Sequence, residues 1–219
     1  MSWLFPLIKT MRPKQWVKNG LLFIGLVFDG QLLNLPALLR VLAAFGLFCL
    51  LSSLVYIIND LTDLEADRNH PKKRLRPLPS GQLSIRTARL AAVLLALVVF
   101  PLAFLLSWRF ALLALIYFGL NLYYSKQIKH VPVLDVMVLA AFYVLRVGAG
   151  VAVIVVSRFS PWLYLFTTFM ALFLGIGKRR AELVLLAGEA NTHRKVLEGY
   201  SLPLLDQLMT IVSSGAIIT

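Results

Sequence analysis

Of the 10 acidic residues in this 219-residue chain, four fall in one short run, Asp60, Asp63, Glu65 and Asp67, directly after Asn59. At helical spacing Asn59, Asp63 and Asp67 recur at i, i+4 and i+8. Asp60 falls beside them, three residues from Asp63, so one helix face carries three carboxylates and an amide. Glu65 points off that face and reads as a solvated residue. Like charges this close repel and weaken an isolated helix, and a divalent cation is the simplest compensator. Magnesium takes oxygen ligands, keeps several waters and bridges one or two carboxylates to substrate phosphates. Asn59, Asp60, Asp63 and Asp67 are therefore the expected ligands of Mg2+ in a metal-diphosphate site.

Arg68, His70, Lys72, Lys73, Arg74 and Arg76 follow at once and could grip phosphate oxygens that the metal leaves free. The bland alternative is an acidic helix end paired with the basic run 72–76 as a structural charge network. Its position at the end of an apolar span tells against that, because carboxylates at the membrane edge are functional candidates by default. His70 has no second His or Cys at ligand spacing, so a hydrogen-bonding role is favoured over zinc. Pro71, Pro77, Pro79 and Gly81 end the helix and make the segment a loop.

The elements that must hold these residues are membrane helices. The chain is 59% hydrophobic and 15% charged, with a mean hydropathy of +0.81, outside the range of a soluble domain. Stretches of the roughly 20 apolar residues that a span needs recur at 20–40, 38–58, 88–107, 110–125, 132–156 and 161–177. A seventh begins near Pro203 and runs to Thr219, an end inside an apolar helix that leads us to expect a longer natural protein. No short apolar core with a cleavage site follows Lys9, Arg12, Lys14 and Lys18, so targeting is expected from the helices themselves.

Most of the 22 Lys and Arg residues fall in alternate connections: before the first span, around 68–89, at Lys126 and Lys129, and at Lys178, Arg179, Arg180, Arg194 and Lys195. The opposite loops carry only Arg40, Arg109 and Arg158. The positive-inside rule then places the N-terminus and the acidic motif in the cytoplasm. Orientation accounts for the charge of +12 without nucleic acid. The lone Cys49 excludes an internal disulfide framework. No linker or low-complexity tract divides the chain, so residues 1–219 are expected to form one all-α, polytopic transmembrane bundle.

The motif resembles the first aspartate-rich signature of the UbiA-type prenyltransferase superfamily, N-D-x-x-D-x-x-x-D with an R-P-L-x-S-G tail, here Asn59, Asp60, Asp63, Asp67, Arg76-Pro77-Leu78 and Ser80-Gly81. Three further segments are similar to its decaprenyl-phosphate phosphoribosyltransferase branch: RPKQWVKN at 12–19, YSKQIKHVPVLDV at 124–136 with FYVLRVGAG at 142–150, and GKRRAE at 177–182. Together they span nearly the whole chain. The resemblance implies about nine transmembrane helices around a central cavity, of which about seven are visible here and two to three C-terminal ones are absent. It departs from the double-aspartate second motif of aromatic prenyltransferases, offering Tyr124, Ser125, Lys126, Lys129 and a lone Asp135.

That resemblance implies a magnesium-dependent transfer of phosphoribose from phosphoribosyl pyrophosphate to a polyprenyl phosphate, releasing pyrophosphate, in cell-wall arabinan precursor synthesis at the plasma membrane. Lys14, Lys18, Lys126, Lys129, Lys178 and Arg179 are candidates to hold a ribose or acceptor phosphate, with lipid-headgroup anchoring as the alternative. Asp135 could accept a ribose hydroxyl or complete the metal environment. Arg146, deeper in the same span, needs a buried anionic or carbonyl partner. Lys178 and Glu182 stand at i,i+4 and could simply pair with each other. Trp16 and Trp162 read as interfacial anchors, and Gly148 and Gly150 as close-packing positions. Two other functions compete: prenyl transfer from a prenyl diphosphate to an aromatic or haem-type acceptor, and transport of a phosphorylated metabolite. Transport would call for paired broken helices at the midplane. A homo-oligomer is left open.

Overall fold

The computed structural model describes residues 3–156, 160–186, 197 and 199–219. Among them every regular element is a helix. Arg158, Arg194, Lys195 and most of the expected turn at 157–161 lie outside the described residues. Among the described residues four helices are long and apolar enough to cross a membrane: α3 (Leu35–Thr62), α5 (Ile85–Leu106), α7 (Leu134–Val151) and α8 (Pro161–Leu186). The described residues fall into two compact units, Met1–Leu122 with Gly148–Val156, and Tyr123–Val147 with Ser157–Thr219.

In the first unit α3 is the central element. Asn34 caps it, its side chain accepting from the Ala37 amide at 3.4 Å, and Pro36 occupies the first turn where a missing N–H costs nothing. Val41, Ala44, Phe48, Leu51, Leu54 and Ile57 are buried along it, and Phe48 meets the Tyr117 ring at 4.7 Å between centroids. Helix α5 packs against α3 after a Ser84 cap and runs on through Pro101. Its outer face is apolar and open, with Leu105 79% exposed. An apolar side chain so placed is tolerable in a hydrocarbon solvent.

The stretch 20–40 is not the single span expected from its composition. Helix α1 (Leu4–Met11) is followed by a 3-10 run, Pro13–Phe23, then by the short α2 (Ile24–Phe28) and a turn. Polar side chains fasten the irregular run to α3, which explains why it need not be a regular helix. Trp16 Nε1 donates to Ser53 Oγ at 3.0 Å, so this tryptophan has a partner within the protein. Asn19, fully buried, donates to Cys49 Sγ and Ser52 Oγ, each at 3.3 Å. Gly150 makes the close packing possible, since a Cβ there would stand 1.9 Å from the Leu22 carbonyl oxygen. The element α6 (Trp108–Lys126) closes the run of helices before the second unit.

The second unit is built by α7, α8 and α9 (Leu202–Ile218), the last capped by Ser201. Helices α8 and α9 pack together around Val136, Ile176, Leu205 and Val212. Arg180 on α8 donates to Asp206 on α9 at 2.5 Å. Gly215 lets the two backbones approach, a Cβ there meeting the Phe169 ring at 2.7 Å.

Candidate functional site

Helix α3 ends at Thr62, and Asp63 joins it to the short α4 (Leu64–Arg68) with φ −90° and ψ 9°. The acidic face is therefore bent and not one continuous stripe. The i,i+4 bonds survive the bend, from the Asp63 amide to Asn59 O at 2.9 Å and from the Asp67 amide to Asp63 O at 2.8 Å. The carboxylates that converge are Asp60 and Asp67, seven residues and about two turns apart. Both are buried, at 2% and 1% exposure, whereas Asn59 and Asp63 are partly open.

Cations meet this pair. Arg12 Nη2 lies 2.6 Å from Asp60 Oδ1. Arg76 Nη1 bridges the two carboxylates, 3.3 Å from Asp60 and 2.6 Å from Asp67. Lys73 Nζ stands 3.4 Å from Asp67 Oδ1. Arg12 reaches Asp60 because its backbone turns into the left-handed region, φ 54° and ψ 60°, between α1 and the 3-10 run. Its guanidinium lies 4.8 Å over the Tyr56 ring. Beside Asp60 opens a cleft of about 190 Å³ lined by Lys9, Arg12, Lys72 and Arg76 among others.

The remaining residues of the loop separate by role. Arg68 is bound to the exposed Glu65 at 2.9 Å, away from the buried pair. His70 Nδ1 accepts from the Lys72 and Lys73 amides at 3.2 and 3.3 Å, which fixes the turn carrying Lys73 and the nearby Arg76. Lys72 and Arg74 are exposed, as are Lys14 and Lys18. The donor set at Asn59, Asp60, Asp63 and Asp67 is all oxygen and suits a hard dication. Among the described residues no three Asp, Glu, His or Cys side chains enclose a metal position. Such a set fits an ion held by one or two carboxylates and completed by phosphate and water, not a protein cage.

In the second unit Asp135, on the first turn of α7, is fully buried. Its Oδ2 accepts from Arg179 Nε at 2.8 Å and its Oδ1 from the Tyr200 hydroxyl at 2.5 Å. That hydroxyl in turn accepts from the Val133 amide at 2.6 Å, where Val133 holds an unusual φ of 66°. Burial first, then the bond to the Asp135 carboxylate, raises the Tyr200 phenol above its ordinary range. Arg179 Nη1 also donates to Glu182 at 2.7 Å, so the acid expected to serve Lys178 serves Arg179. Lys178 and Lys126 are exposed, and Lys129 is partly so. The Tyr124 ring packs edge-on to Phe142 at 5.8 Å. Arg146 finds the carbonyl partner its depth demands, donating to Phe142 O at 2.7 Å.

Three participants were not singled out by sequence: Arg12 as a partner of Asp60, Tyr200, and the Arg179–Glu182 contact. Arg12 opens the segment RPKQWVKN, but nothing in that segment ties it to a carboxylate 48 residues away. Tyr200 stands in no motif, and only the polar Ser201 cap beside it marks the place.

The UbiA prenyltransferase family description matches residues 21–181. This chain belongs to that family. It is 36% identical over 217 residues to a Corynebacterium glutamicum protein named decaprenyl-phosphate phosphoribosyltransferase, covering 97% of this chain. A Mycolicibacterium smegmatis protein of the same name is 34% identical, again over 97% of this chain. The chain spans 65% and 68% of the lengths of these two relatives. A solved UbiA homologue from Archaeoglobus fulgidus, bound to DMAPP and Mg2+, superposes with a TM-score of 0.74 at 21% identity, covering 97% of this chain and 75% of that one. That likeness establishes the all-helical family fold of this membrane protein, in which the motif segments around Asp60 and Asp135 sit in residues matched by the family.

Proposed function

We propose that the protein transfers phosphoribose from phosphoribosyl pyrophosphate to a decaprenyl-type polyprenyl phosphate and releases pyrophosphate, on the cytoplasmic side of the plasma membrane, in cell-wall arabinan precursor synthesis. The observation that carries this is the identity of 36% to the Corynebacterium glutamicum phosphoribosyltransferase along almost the whole chain. The acidic motif and its basic surround supply the chemistry. The reaction breaks a glycosidic C–O bond through a transition state with oxocarbenium character, so the protein must stabilise the departing pyrophosphate and keep water from the sugar.

Asp60 and Asp67, with Asn59 and Asp63 beside them, are the residues that would hold a dication. When bound, Mg2+ supplies positive charge to the leaving diphosphate. Arg76 and Lys73 hold the acidic pair in position and lie where free phosphate oxygens would arrive. Lys72 and Arg74, exposed on the same loop, are candidates for the outer phosphate oxygens, as are Lys14, Lys18, Lys126, Lys129 and Lys178 for the ribose or acceptor phosphate. The acceptor is already an anion near neutral pH, so it needs positioning more than deprotonation. Arg179 is committed to Asp135 and Glu182, and we assign it the role of orienting Asp135, with Tyr200 as the second support.

One observation favours a second reading: the superposing Archaeoglobus fulgidus structure holds a prenyl diphosphate. Donor exchange separates the two. Purified full-length protein with magnesium should consume phosphoribosyl pyrophosphate with polyprenyl phosphate and lose that activity in EDTA. Turnover only with a prenyl diphosphate and a non-phosphate acceptor would defeat the phosphoribosyl assignment.

A further inference from the structure

Two carboxylates, Asp60 and Asp67, face three cations, Arg12, Arg76 and Lys73. The pair is thus already neutralised. A dication arriving alone enters a field that repels it and must break charge-assisted hydrogen bonds to reach an oxygen. The two arginines also line the basic cleft beside Asp60, together with Lys9 and Lys72. Asp60 lines that cleft with them, so each guanidinium is bonded to a carboxylate at the wall of a space suited to an anion. Arg76 is tied to both carboxylates and lies in the loop that directly follows α4. Arg12 contacts Asp60 from a distant segment, its side chain 31% exposed, at a left-handed junction where a change of backbone angle redirects the side chain.

We propose that Arg12 is a displaceable counter-ion. It holds Asp60 in the ligand-free protein and turns to phosphate when a dication and a diphosphate arrive together, so that the two bind co-operatively. The inference rests on the reading of Asp60 as a dication ligand. Its physical basis is linkage: the anion gives Arg12 a new partner, and the departure of Arg12 gives the metal its carboxylate. Metal alone then binds weakly, and the acidic motif does not trap dications without the donor.

Equilibrium dialysis of the full chain in detergent, reading Mn2+ retained by the protein with and without pyrophosphate, tests this. In the unaltered protein pyrophosphate should tighten Mn2+ retention about tenfold. Arg12→Gln should tighten retention of Mn2+ alone by a factor of about ten and shrink the pyrophosphate enhancement to match. Should Arg12→Gln fail to fold, Arg12→Lys is the substitute, expected to move both quantities in the same direction by less. Unchanged Mn2+ affinity and unchanged enhancement in the folded variant overturn the counter-ion role while leaving the metal site standing. Absence of Mn2+ retention by the unaltered protein, with or without pyrophosphate, overturns the reading of the acidic motif and this inference together.

Discussion

The acids of the motif differ in what their loss should cost. Asp63 is partly exposed at the bend after α3, so Asp63→Asn should abolish turnover and leave thermal unfolding almost unmoved. Asp67 is buried against Arg76 and Lys73. Asp67→Ala leaves Arg76 with Asp60 alone and takes this partner from Lys73, and because both cations are about a third or more open to solvent the loss should be about 1–3 kcal/mol. Thermal unfolding in detergent beside an activity assay distinguishes the two effects. Tyr200 gives a test free of catalysis. Tyr200→Phe keeps the ring but removes the bonds to Asp135 and the Val133 amide, a loss of about 2 kcal/mol. Because the folded phenol is raised, its contribution is complete below the unfolded value near pH ~10. It is lost as pH rises above that point, since the unfolded chain then releases a proton the native state keeps. The stability gap between the unaltered protein and Tyr200→Phe should therefore narrow above about pH 10, as read by unfolding midpoints across pH.

Helical elements here are held by close backbone approach where the apolar solvent gives no drive to bury apolar groups. The contact of α7 with the irregular 3-10 run is the clearest case, because any side chain at Gly150 meets the Leu22 carbonyl. Gly150→Ala should destabilise the fold by about 1–3 kcal/mol, the usual cost of overpacking. Gly46 on α3 has open space around its Cα, so Gly46→Ala should stabilise by about 0.5–1 kcal/mol through helix propensity alone. Opposite signs in one unfolding series would verify that packing, not glycine content, sets the requirement.

For the whole molecule, the distribution of charge makes a topological prediction. In a Cys49→Ser background, a cysteine introduced at Lys72 should resist membrane-impermeant maleimide in intact cells and react once membranes are opened. One introduced at Leu33, 97% exposed in the turn before α3, should react from outside. Reversed labelling would place the acidic motif on the wrong side for a cytoplasmic phosphoribosyl donor.

Composition, the period of apolar runs and the basic bias of alternate loops were enough to read a polytopic helical membrane protein, because those properties are set by the solvent and need no knowledge of contacts. The run from Asn59 to Gly81 was legible for a related reason: its residues are local, and a helix places them by spacing alone. Partnership across the chain was not legible. That Arg12 neutralises Asp60, that Asp67 and not Asp63 joins it at Arg76, and that Tyr200 clasps Asp135 all depend on backbone reversals at Arg12 and Val133 and on a bend at Asp63. Such turns are decided by packing between distant segments, which no periodicity encodes, so only the tertiary structure could assign each charge its partner.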